Sequence, residues 1–121
     1  MNTLPDAANA PPLTIEDLRA MLNPPAPASD AELAAVRRLI AIARRDTGQS
    51  RRVAAFLLAW WNADSCGGFD LTDLWAVDSA IAQDMLTVIG LVARLHEYPP
   101  AFGFDAEFRQ LVRDWRPELV R

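Results

Sequence analysis

Apolar residues recur along this chain at intervals of three and four, the spacing that lines one face of an α-helix, and nowhere in the sustained alternation that builds a strand. The first such pattern is short: "LTIEDLRAML", residues 13–22. Thr14 stands as its N-cap with Asp17 three residues on, and Leu13 is placed to staple onto Leu18. A helix this short needs to dock against something to persist. The next pattern opens on a capping box, Ser29 with Glu32, and sets Leu33, Val36, Leu39, Ile40 and Ala43 on one side, with a stop expected at Gly48. From about Ser50 to Ala63, Val53, Phe56, Leu57, Trp60 and Trp61 spread over much of a helical circumference. A helix apolar nearly all round is expected to be the central one. Successive helical residues point about 100° apart, so Trp60 and Trp61 are expected not to share one pocket.

Further along, "FDLTDLWAV" reads as a short helix and "DSAIAQDMLTVIGLVARLHE" as a long one, with Asp78 as candidate N-cap between them. The long element places Ile81, Met85, Val88, Ile89, Val92 and Leu95 on one stripe, with Gln83, Asp84 and Arg94 off it. Gly90 in its interior costs about 1 kcal/mol relative to alanine, and its expected use is to let a neighbouring helix approach closely. "YPPAFG" ends this element, and a last helix from Asp105 to Trp115 presents Phe108, Leu111, Val112 and Trp115. Gly68-Phe69-Asp70 and Gly103-Phe104-Asp105 repeat one tripeptide before a helical pattern, which suggests one device used twice: glycine for the turn, an apolar residue outside, aspartate as N-cap. In the first copy Leu74 is placed to staple onto Phe69.

The expected fold is therefore all-α, a compact bundle of four to five helices with a proline-rich N-terminal leader. Six of the nine prolines precede residue 28, and proline both lacks a donor and keeps its predecessor out of the helical region. Residues 1–28 are read as a flexible leader with one short helix, and residues 29–121 as the helical domain, its helices spanning about 29–116.

Composition narrows the setting. A chain of 121 residues fits one domain with one core. No apolar run approaches the roughly 20 residues of a membrane helix, and the first residues lack the basic start and apolar block of a secretory signal. The expectation is a cytoplasmic protein without membrane contact, and a single cysteine, Cys66, fits a reducing compartment. The formal net charge of −4 argues against a general affinity for nucleic acid. Charge is nonetheless unevenly placed: six of the twelve basic residues, all arginine, fall between Arg37 and Arg52, and five aspartates with no arginine lie between Asp64 and Asp84. The absence of lysine and the abundant alanine suggest a GC-rich bacterial source.

Candidate chemistry gathers in "FLLAWWNADSCGGFDLTDLW", residues 56–75. The first reading is a corner between helices whose aspartates cap backbone amides at positive helix ends. The sharper alternative is a degenerate EF-hand-like calcium loop holding Asn62, Asp64, Asp70 and Asp73, with Gly67 at its turn position, although Cys66 and the short Asp73 stand where oxygen donors and a glutamate are usual. Cys66 lies near a helix start, a setting that can activate a thiol, but His96 is thirty residues away in sequence. Catalytic residues and cofactors are expected to be none: no phosphate loop, paired catalytic carboxylates or serine elbow stands in the chain. The arginine pairs Arg37/Arg38 and Arg44/Arg45, spaced by seven, read first as a solvated face, then as a patch for an acidic protein partner, and last, given the net charge, as one for nucleic acid.

The segments "FLLAWWNADSCGGFDLTDLWAVDSAIAQDMLTVIGLVARL" and "YPPAFGFDAEFRQLVRDWRPELV" resemble a family of short bacterial proteins of unknown function, over about Arg51 to Val120. The resemblance implies an accessory or regulatory protein of plasmids and integrative elements and carries no activity over to any residue. The functional expectation is a non-enzymatic interaction protein using Trp61 or Trp75 and the face of Arg37, Arg38, Arg44 and Arg45. Its partner would be another protein or a second copy pairing basic stretch with acidic stretch. The alternative is a small metal-binding or nucleic-acid-binding module.

Overall fold

The computed structural model describes residues 11–22 and 25–120; most of the proline-rich start, residues 1–10, lies outside the described residues, as does Arg121. Among the described residues five α-helices follow in order: α1 (Ile15–Leu22), α2 (Asp30–Ala43), α3 (Gly48–Cys66), α4 (Ser79–Leu95) and α5 (Asp105–Trp115). Short 3₁₀ helices cover Leu71–Ala76, Pro99–Phe102 and Pro117–Leu119. No strand occurs among the described residues, and the class is all-α as expected.

Helix starts follow local chemistry. The Thr14 hydroxyl accepts from the Asp17 N–H and the Asp17 carboxylate accepts from the Thr14 N–H, both at 3.0 Å. Ser29 and Glu32 form the same reciprocal pair for α2, at 3.1 and 2.9 Å. α2 ends at Ala43, earlier than expected, and Gly48 opens α3 instead of closing α2. Thr47 is the cap that decides this: its hydroxyl accepts from the Ser50 N–H at 3.0 Å and meets the buried Ser50 hydroxyl at 2.8 Å.

α3 is interrupted at Asn62, whose backbone is extended (φ −167°, ψ 88°). The Asn62 side-chain oxygen accepts from the Ser65 N–H at 3.1 Å and so caps one further turn ending at Cys66. Gly67 follows at φ 96°, a conformation that favours glycine. The two Gly-Phe-Asp tripeptides are not one device. Asp70 caps its 3₁₀ helix as expected, but Asp105 is the first residue inside α5, behind Phe104, and makes no capping bond.

α2 is the hub, packing against α3, α4 and α5, whereas α3 packs against α2 and α5. The expectation of a central α3 is corrected: its extra apolar face lines a groove. α3 and α4 run in the same direction, tied at both ends. At the N-terminal ends the Gln49 amide accepts from the Asp78 N–H at 2.7 Å and donates to its carboxylate at 3.3 Å. At the C-terminal ends the Trp60 indole N–H donates to the Glu97 carbonyl at 2.9 Å. Between these ties the two helices scarcely touch, and residues 67–77 carry the chain back from the end of α3 to the start of α4.

The core combines Val36, Leu39, Leu57, Leu58, Met85, Val88, Leu91, Phe108 and Leu111, all fully buried. Two expectations on α4 fail. Leu91 is buried although it lay outside the expected stripe, and Ile89 is exposed. The cause is that α4 turns its face to α2, not to α3. Trp60 and Trp61 do share a partner: Phe108 of α5 sits between them, edge-on to Trp60 with centroids 5.7 Å apart and stacked on Trp61 at 5.8 Å. One aromatic ring offers both an edge and a face, so neighbours about 100° apart on one helix can both reach it.

Candidate functional site

The segment after α3 forms a braced platform. The Asp70 carboxylate accepts from the Thr72 hydroxyl at 2.8 Å and from the Thr72 N–H at 2.9 Å, and these bonds hold it below the ordinary carboxylate range. Asp73 pairs with Arg52 of α3 at 3.5 Å. Phe69 packs edge-on against Phe56 with centroids 5.2 Å apart, and Leu74 and Val77 lie against the core. On this platform Trp75 stands 85% exposed and Leu71 68% exposed.

The twelve-residue calcium loop is not assembled as the spacing suggested. Residues 62–66 are one helical turn, so the first half of the supposed loop is not a loop. Asn62 is committed to Ser65, Asp70 to Thr72 and Asp73 to Arg52. Among the described residues no group of three or more His, Cys, Asp or Glu side chains is arranged to hold a metal ion. Cys66 is buried, and burial pushes its thiol above the ordinary value, away from nucleophilic character. His96 ends α4 in the left-handed conformation (φ 49°), its ring nitrogen 3.0 Å from the Ala93 carbonyl.

The four arginine candidates part company. Arg38 forms a two-pronged pair with Asp84 of α4, both contacts at 2.9 Å. The Arg37 guanidinium lies 5.8 Å from the ring centroid of the buried Phe104. Arg44 and Arg45 are exposed and, among the described residues, form no ion pair. The basic and acidic stretches thus meet within one chain, through Arg38–Asp84 and Arg52–Asp73. Trp61 is half-buried between Phe108 and the Arg109 guanidinium, which lies 5.8 Å from its ring centroid.

Pattern reading missed the groove between α3 and α4. It has a volume of about 420 Å³ and is lined by Phe56, Ala59 and Trp60 on one wall, Val88, Ile89, Val92 and Ala93 on the other, and Phe69 and Leu71 from the return segment. Its walls are almost wholly apolar. Beside it, Leu86 is 51% exposed, and Gly90 is exposed with open space where a Cβ would stand. The signal was in the sequence: α4 carries Leu86, Ile89 and Ala93 in addition to Ile81, Met85, Val88 and Leu91, more apolar positions than one buried face uses.

Among the described residues no helix is long and apolar enough to cross a membrane. A family model described as "Family of unknown function (DUF7673)" matches residues 33–116, from the first turn of α2 to the residue after α5. No curated protein and no solved structure gives a significant match.

Proposed function

The chain belongs to this family of unknown function, and we propose, from what its surface offers, that the protein is a non-enzymatic interaction protein of accessory or regulatory kind. The observation that carries the reading is Trp75, 85% exposed on a segment that capping, an ion pair and core contacts hold in place. Large exposed aromatics are costly to leave in water, and tryptophan and arginine dominate the energetic centres of protein interfaces. A pre-braced anchor also loses little entropy on binding. Arg44 and Arg45 supply a second, charged patch that would steer an acidic protein partner. Pairing of the basic with the acidic stretch between two copies would compete with Arg38–Asp84 and Arg52–Asp73, which already join the two stretches within the chain, and this favours a different protein as partner. The setting we propose is cytoplasmic and bacterial, in the service of mobile DNA; the Ala-Trp-Trp-Asn and Gly-Gly-Phe-Asp-Leu segments and the all-arginine basic set support it.

The test is affinity capture from the native host by the full chain, run beside Trp75→Ala and Arg44→Glu/Arg45→Glu. The expected result is a protein enriched by the wild type and lost with Trp75→Ala, while both variants keep the wild-type melting temperature. An undiminished yield with Trp75→Ala overturns the assignment of the anchor.

A further inference from the structure

α1 is a formed helix, capped at its start by the Thr14/Asp17 box, whose described apolar side chains stand exposed. Ile15 is 68% and Met21 71% exposed, Leu13 and Leu18 are exposed with them, and no described side chain of α1 packs against the core. Eight residues rarely hold a helix in water without docking. The body has a matching vacancy. Leu86, Ile89, Gly90 and Ala93 follow the spacing of one helix face, are all exposed, and adjoin the groove that Leu71, Phe56 and Trp60 close on its far side. Gly90 carries the cost of a helix-interior glycine with no neighbour in the body to account for it.

The tether decides which copy of α1 fits. Arg94 donates to the carbonyls of Ala26 and Pro27, both at 3.3 Å, and so pins the leader beside the last turn of α4. Gly90 and Arg94, four residues apart, are neighbours on that helix surface. From Ala26 back to Leu22 is four residues, a reach of about 14 Å at most. α1 itself is about 12 Å long and the exposed face from Leu86 to Ala93 about 10 Å. From these lengths and the two uncovered apolar faces we propose that α1 of the same chain docks on α4 across Gly90 and lays its Ile15, Leu18 and Met21 side along the groove between α3 and α4. The leader helix then completes the bundle as a detachable fifth member, in a groove whose lining does not include Trp75, so the inference does not rest on the proposed function.

Amide hydrogen exchange on the full chain tests it. Wild-type amides in residues 18–22 are expected to exchange at least about tenfold more slowly than an unstructured chain, as docked segments do. Leu86→Asp and Ile89→Asp on the body, and Leu18→Asp on the leader, are each expected to remove that protection while residues 30–115 keep theirs. Light scattering should report one unchanging monomer mass across micromolar concentrations. Free exchange of residues 18–22 in the wild type, protection that survives both α4 substitutions, or protection that fades on dilution as a dimer dissociates each overturns docking within the chain.

Discussion

Arg94 of α4 and Glu32 of α2 meet in a two-pronged ion pair, Nη2 to Oε1 at 2.6 Å and Nη1 to Oε2 at 2.7 Å. The same Glu32 carboxylate accepts the Ser29 N–H that starts α2, and the same guanidinium holds the Ala26 and Pro27 carbonyls. One pair thus closes the α2–α4 contact, caps a helix and fixes where the leader enters. Hydrogen bonds from Arg94, then Ser29, lower the Glu32 carboxyl from 4.5 to about 2.

A pH dependence follows from that lowering. A carboxyl more acidic in the folded than in the unfolded protein contributes stability that is full above its unfolded value and is lost as pH falls towards its folded one. Wild-type stability should therefore decline between pH 4.5 and about 2 by an amount that Glu32→Gln removes. Chemical denaturation across that range checks it. Arg94→Met should flatten the same window and also speed protease cleavage in residues 25–28, because the carbonyl clamp goes with the charge.

Phe108 is fully buried between Trp60 and Trp61. Phe108→Ala removes a ring that joins α5 to α3, and a loss of about 3–5 kcal/mol is expected. Against a total of about 5–15 kcal/mol for a domain, this variant should sit near its unfolding midpoint in low denaturant. Tryptophan emission should shift to the red at the same time.

The Trp115 indole N–H donates to the carbonyl of Ala43, the last residue of α2, at 2.7 Å. Carbonyls at a helix end lack intrahelical partners, so Trp115→Phe should cost about 1 kcal/mol by denaturant titration, the worth of one hydrogen bond. Trp60→Phe, which frees the Glu97 carbonyl, should cost a similar amount, whereas Trp75→Ala should change stability by less than about 0.5 kcal/mol.

Cys66 should resist alkylation in the folded protein. Its thiol is buried and burial raises it above its ordinary value, while the backbone carbonyl of the same residue accepts from Arg116 at 2.9 Å and so ties down the chain that follows α5. Labelling at pH 8 is expected to be slow until denaturant opens the fold; rapid native labelling would show that the end of α3 is loosely held.

What local sequence determines here is what lies within one turn of helix. The boxes Thr14/Asp17 and Ser29/Glu32, the Asp70 cap and the span of α5 were all readable, because each depends on atoms three or four residues apart. Even Asn62 acts locally, though a cap inside an apolar helix is easily passed over. Tertiary structure decided the rest: which face of α4 meets α2, so that Leu91 is buried and Ile89 is not; that one Phe108 ring serves two tryptophans; and that basic and acidic stretches pair within the chain. A hydrophobic period states that a face will be covered but not by what. That choice belongs to the path of the chain, and here the path leaves a groove beside α4 and an uncovered helix four residues from its anchor.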